Sequence, residues 1–364
     1  MISILKGTGM LDKSQKWVFI LSQSFGFFPI STISDPKSGL QSLKISNFSI
    51  PILLWGISIL AQLLWVGGSV VLISQPRNKK TKKSTTDQLG YLVWLILGTI
   101  MLLVIKVSRI LNRRRLVSFW AKVWSFSDQL LLVGSGSKFL QQSMSKIRKF
   151  FAIRILMYLL SVSAFLVIHL VIMFYTHIGR NAPIYFDLGA FFWEFFLVTH
   201  VTHTFIPLFF IQVLIIFFQT LEKMIDSKAE IEKNKVFLQS EKNMGQSIDA
   251  RLLDLLNDLE DLVSEFNILY SKDIYVIPSL SMMQILAGTF LLFVRHDQLL
   301  VVFNGCNIIL WYLKSLWDFC TLGTLLTTTA LKSFQKLEKN SFENFSIDDR
   351  LRVNCLNCMV FKNL

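Results

Sequence analysis

The chain has 364 residues, 52% hydrophobic and only 17% charged, with 32 Phe and a mean hydropathy of +0.51. A soluble domain carries about 25% charged residues, so this balance excludes an ordinary globular fold in water. The net charge of +13 comes with no folded basic domain and no base-stacking motif, which excludes nucleic acid as a partner. In so apolar a chain the positive charges read instead as topology signals and contacts to membrane lipid.

Residues 1–48 carry scattered lysines and no cleavable signal pattern. Within them Trp17–Ile30 is apolar but too short and polar to span. That predicts an interfacial or re-entrant segment ending at Pro29 and a turn around Asp35-Pro36. Six longer apolar stretches follow: Ser49–Ile73, Leu89–Val107, Phe150–Tyr175, Phe191–Phe218, Ile277–Val294 and Leu299–Ala330. Each is long enough to cross a hydrocarbon core of about 30 Å at about 1.5 Å per helical residue. With no water there for a bare backbone, each must be a helix. The predicted fold class is all-α, a polytopic transmembrane helical bundle of six spans with cytoplasmic helical extensions.

Charge sets the orientation. With a cytoplasmic N-terminus, the inside segments 1–48, 108–149, 219–276 and 331–364 hold 27 Lys and Arg. The outside loops 74–88, 176–190 and 295–298 hold 7. The bias predicts both termini inside. Five of the outside charges cluster in Arg77–Lys83, against the rule, while Arg113-Arg114-Arg115 anchors the inside directly after the second span. The expected organisation is a cytoplasmic N-terminal segment 1–48, a transmembrane domain 49–330 that includes loops 108–149 and 219–276, and a cytoplasmic C-terminal segment 331–364.

Two loops read as helical. In 108–149, Leu116, Phe119, Val123 and Phe126 recur at helical spacing, as do Leu140, Met144 and Ile147. They predict amphipathic helices against the inner membrane face, broken at Gly134-Ser135-Gly136. In 219–276, Leu252, Leu255, Leu256, Leu259, Leu262, Val263, Phe266 and Tyr270 line one face, with Asp254, Asp258, Asp261 and Glu265 opposite. That stripe needs a partner, either another cytoplasmic helix or the same helix of a second subunit. The sixth stretch is about 48 Å long as a helix, so its end near Leu325–Ala330 should project into the cytoplasm beside 248–270.

The chemistry-bearing residues are few. Cys355-Leu356-Asn357-Cys358 has metal or redox spacing but no second pair. With Cys306 and Cys320 it reads as reduced thiols, or as a palmitoylation site near the membrane. The five histidines, His169, His177, His200, His203 and His296, fall in the outer part of the membrane region or outside it. His200 and His203 share a helix face, which fits interhelical packing, a ligand pocket or a lone metal pair. Glu194 lies on a different face and makes a poor third ligand. On the sixth span Lys314 and Asp318 are four apart, either a compensating pair or one wall of a vestibule with Asn304, Asn307 and Trp311. Asn47-Phe48-Ser49 and Asn344-Phe345-Ser346 match glycosylation acceptors but fall on the predicted inside. No nucleophile elbow, phosphate loop, metalloprotease motif or paired catalytic carboxylates occur, so no enzyme, cofactor or metal site is expected.

Several features together resemble the insect and arthropod gustatory receptor family, relatives of the odorant receptors. They are the pre-span segment Phe19–Pro29, the basic second loop with Ser127-Asp128-Gln129, the long charged loop between spans four and five, and a sixth span running into Leu331–Lys336. The resemblance implies a chemosensory receptor for small tastants, built as a homo- or hetero-tetrameric ligand-gated cation channel in the plasma membrane. It implies a pore lined by a seventh helix bearing Thr-Tyr, five hydrophobic residues, then Gln-Phe. These 364 residues hold no such motif, so the expectation is a receptor truncated before its pore helix. The family's ligand pocket lies among the earlier spans toward the outer face, which by resemblance draws in His169, Trp193, His200, His203, Asn307 and Trp311. A six-span transporter or a non-conducting accessory membrane protein is the alternative.

Overall fold

Ser49 opens the bundle: its carbonyl accepts from the N–H groups of Ile52 and Leu53, while Pro51 occupies a first-turn position where no N–H is needed. The structure is a computed structural model that describes residues 18, 20, 22–34, 41–44, 49–74, 85–132, 137–179, 202–235, 242–294 and 299–341. Seven long helices carry the fold among them. They are α1 (Ile50–Ser74), α2 (Thr85–Leu111), α3 (Arg113–Leu132), α4 (Ser137–Gly179), α5 (Phe205–Lys235), α6 (Lys242–Val294) and α7 (Leu299–Ser341). The expected break at Gly134–Gly136, the acceptors Asn47 and Asn344, and the Cys355–Cys358 pair lie outside the described residues.

A transmembrane helical bundle explains the surface. Leu53, Ile57, Leu60 and Leu64 form an exposed apolar lane on α1, where a helix in water would carry polar groups. Leu97, Ile100 and Val104 do the same on α2, and Ile153, Leu156, Met157, Leu160 and Val167 on α4. Large apolar side chains facing outward at helical spacing along successive helices mark a lipid-facing surface.

The main core lies at the base of the bundle, the cytoplasmic end in the predicted orientation. Leu116, Phe119, Val123 and Phe126 of α3 are buried, as are Leu140, Met144 and Ile147 of α4 and the whole Leu252–Tyr270 stripe of α6. The partners of that stripe are therefore α3 and α5 of the same chain. The α3 and α4 segments pack into this core, whereas the sequence predicts helices lying flat on the membrane. An aromatic cluster joins them: Trp120 stacks on Phe209 at 6.3 Å, meets Phe210 edge-on at 4.4 Å, and Phe210 lies 5.5 Å from Tyr270.

Those contacts revise the fourth predicted span. Its second half, Phe205–Phe218, is buried against α3 and α6 in the base core and does not face lipid. A helix apolar all round is buried, but apolarity alone does not say whether lipid or protein buries it. Below it α7 continues to Ser341 and packs beside α5. Phe334 lies 6.2 Å from Phe218, and the Ser333 hydroxyl donates to the Phe218 carbonyl at 3.3 Å.

The N-terminal segment folds into the bundle, and the expected turn around Asp35-Pro36 lies outside the described residues. Phe27, Phe28 and Ile30 are fully or almost fully buried, and Phe28 packs on Trp120. Gly26 makes the turn at φ +75°, and a Cβ there would come within 2.9 Å of Trp55 Cα, so only glycine fits. A hairpin that the sequence does not foreshadow comes next. β1 (Ser31–Ser34) pairs antiparallel with β2 (Gln41–Lys44), Ser31 opposite Lys44. At the other end, α6 and α7 cross at Gly288 and Gly305, where an added Cβ would lie about 3 Å from the facing helix. Pro278 within α6 frees the Ile274 carbonyl between the base and the membrane portion of that helix.

Candidate ligand seam and its polar framework

Among the described residues, three polar assemblies inside the apolar bundle join elements far apart in sequence. The first pins α2 to α6. Arg109 donates to Asp273 at 2.6 Å, reaches the Leu269 carbonyl at 3.4 Å, and lays its guanidinium 3.9 Å from the centre of the Tyr270 ring. Burial pushes the Asp273 carboxyl upward, with the Arg109 charge acting against it. The same burial raises the Tyr270 phenol.

The second holds the re-entrant segment. Lys106 of α2 is fully buried; its ammonium donates to the Ser58 hydroxyl and sits 4.9 Å from the centre of the Phe27 ring. Ser58 donates to the Phe25 carbonyl at 2.9 Å, and Trp55 Nε1 donates to the Lys106 carbonyl at 3.0 Å.

The third spans α4 and α7. Arg154 meets one oxygen of Asp318 at 2.6 Å, and Lys314 meets the other at 2.5 Å. Two helical turns outward, Trp311 Nε1 donates to Ser161 Oγ at 3.0 Å. The α4 backbone packs against α3 and α5, and it reaches α7 through these long side chains. Long side chains join α4 to α7 along this seam, in contrast to the close glycine packing at Gly288 and Gly305. The charged pair is buried, and the Trp311 indole donor lies two turns along the helices from it.

The expected site residues divide accordingly. Trp311 lines the seam, and half-buried Asn307 lies one turn outward from it on α7. His169 occupies α4 two turns outward of Ser161. His203 does not join them. It is buried with its ring 5.6 Å from Phe27, beside the start of α1 and the end of α2. In the predicted orientation that is the cytoplasmic end and not the outer part where the sequence places it, because Phe205–Phe218 belongs to the base. Trp193 and His200 lie outside the described residues. Sequence reading pairs Lys314 with Asp318, since a four-residue spacing shows itself. Arg154 and Ser161 escape it, because nothing local links either to α7.

The comparisons agree with this architecture. The family model described as 7tm Chemosensory receptor matches residues 15–352. Among solved structures, the insect olfactory receptor OR5 from Machilis hrabei superposes with a TM-score of 0.64 at 10% identity, over 97% of this chain and 90% of that one. At that identity the likeness speaks for the fold alone. A search of curated protein sequences finds no match. With the family model covering nearly the whole chain, from the re-entrant segment to beyond α7, the protein belongs to the 7tm chemosensory receptor family.

Proposed function

We propose that the chain is a gustatory-type receptor, a subunit of a tetrameric ligand-gated cation channel in the plasma membrane, with its N-terminus cytoplasmic and small tastants as ligands. One observation carries the reading: the α4–α7 seam, with the Trp311–Ser161 hydrogen bond above the buried Arg154–Asp318 pair. A few fixed polar groups between otherwise apolar helices are what orients a small organic ligand, and this reading places the ligand along the seam. In this reading Asn307 and Trp311 contact the tastant, His169 lies at the outer mouth, and Trp193 and His200 complete the pocket. Residues 49–330 form the receiving domain between two cytoplasmic segments.

Binding tests it directly. The purified chain is titrated with sugars and bitter compounds while Trp fluorescence is followed. A saturable ligand is expected, with affinity reduced about tenfold in Trp311→Phe or Asn307→Ala, the cost of about one hydrogen bond. Unchanged affinity in both variants would remove the seam as the pocket. Expressed as these 364 residues alone, the chain is expected to bind without passing current, because they hold no Thr-Tyr/Gln-Phe motif, to which the resemblance assigns the pore. A robust tastant-evoked cation current from them would overturn that assignment.

A further inference from the structure

The charge on α4 is one-sided. Between Asp128 and Asp187 the sequence contains no acidic residue, while Lys138, Lys146, Arg148, Lys149 and Arg154 all fall in that interval. Lys146, Arg148 and Lys149 are exposed, and none makes an ion pair among the described residues. They directly precede the apolar lane of the same helix. Lys149 and Ile153 are four apart, and Met157 and Leu160 continue the exposed stripe. Lys146 lies seven residues before Ile153, on the same side of the helix. Across the seam, Lys314 is exposed between Leu313 and Trp317, which are exposed too. Its partner Asp318 is shared with Arg154, which leaves that cluster one positive charge in excess.

We propose that this face is a binding site for a polyanionic phospholipid. Lys146, Arg148 and Lys149 would hold its phosphates, and the Ile153–Leu160 stripe its acyl chains. Juxtaposition selects a lipid over a free anion: the basic groups sit where the apolar lane begins, as a headgroup sits above its chains. A cluster of Lys and Arg at the end of a membrane helix attracts anionic headgroups through charge that the apolar surface cannot screen. The inner-leaflet location rests on the proposed orientation, but the binding itself does not.

The chain in neutral detergent, where neither leaflet exists, is therefore the test, and orientation cannot influence the result. It is titrated with dioctanoyl phosphatidylinositol bisphosphate, with dioctanoyl phosphatidylcholine and with the soluble inositol phosphate headgroup. Saturable binding of the first is expected, weakened by salt and weakened about tenfold or more in Lys146→Gln/Arg148→Gln/Lys149→Gln. Lys122→Gln, at an exposed lysine paired with Glu265, should leave it unchanged. Should the triple variant fail to fold, Lys149→Glu alone is expected to show the same direction of change. Equal affinity for phosphatidylcholine, or an unaltered affinity in the charge variants, overturns the site. Binding of the headgroup as tight as that of the lipid overturns the acyl lane and leaves a phosphate site in its place.

Discussion

At the scale of single residues, the Arg154–Asp318–Lys314 cluster makes the sharpest distinction. Removing a buried charge whose partner stays behind is costly, about 3–5 kcal/mol, because the remaining ion is uncompensated. Asp318→Leu leaves Arg154 buried against Phe205 with no carboxylate. Arg154→Leu leaves Asp318 with Lys314 still on its other oxygen. The first should therefore destabilise more than the second, and Arg154→Leu/Asp318→Leu should recover much of the loss. Thermal unfolding of the purified variants checks this; equal losses in the two single variants, adding in the double, would show that the pair is not coupled. Gly26 offers a backbone counterpart. Its positive φ and the 2.9 Å approach of Trp55 Cα mean that Gly26→Ala meets both strain and a clash with main chain. A loss of about 1–3 kcal/mol is expected, read as lower thermal stability and easier proteolysis around the re-entrant segment.

The junction of α5 and α7 carries the pH dependence at the scale of elements. Glu222 accepts from Lys336 at 2.6 Å and from Lys332 at 3.0 Å, and Lys336 also reaches Asp226 at 2.8 Å. Burial alone would raise the Glu222 carboxyl, but the two lysines outweigh it and hold it below its ordinary value of 4.5. Hydrogen bonds to Asp226 and Glu222 raise Lys336. A depressed carboxylate contributes stability that is present above its unfolded value and is lost as pH falls through the folded one. A raised lysine contributes stability that is complete below 10.5 and is lost above it. The junction is thus expected to hold from neutral pH down to about pH 5 and to loosen only below that, by less than about 1 kcal/mol for so exposed a network. Hydrogen exchange along α7 residues 329–336 should accelerate in acid in the native chain, and Glu222→Gln should be fast already at neutral pH; identical acid profiles would assign the change elsewhere. Such junctions also mark what a sequence can show. The Leu252–Tyr270 stripe is legible because its period is local, and Lys314–Asp318 because one turn separates them. Arg109–Asp273 and Lys336–Glu222 are not, because no local pattern relates residues on distant helices. The β1–β2 hairpin escapes because its strands, Ser31–Ser34 and Gln41–Lys44, are four residues each and largely polar.

For the whole molecule, the question is which side of the membrane holds the base. The bundle has one end rich in protein core, where α3, α5, α6 and the extension of α7 meet, and one end where α6 and α7 cross at Gly288 and Gly305. The core end also collects Arg113–Arg115, Lys146, Arg148 and Lys149, and the predicted orientation assigns 27 Lys and Arg to the cytoplasmic side against 7 outside. Positive charge close to span ends is retained in the cytoplasm, so under the proposed orientation the packed base lies on the cytoplasmic side. The Arg77–Lys83 cluster opposes that orientation, and its loop is short enough to count in the rule. If that cluster dominated, the first helix would invert and Phe25–Ile30 would sit outside, yet this segment is buried against Trp120, the start of α1 and the end of α2. Inverting α1 alone would tear those contacts apart, so the orientation is shared by the whole bundle or by none of it. An epitope tag at the N-terminus is therefore expected to stain only after permeabilisation, and a tag inserted at Asn78 to stain on intact cells. Staining of the N-terminal tag on intact cells would invert the entire assignment, and staining of both would mean that α1 is not held as the re-entrant contacts require.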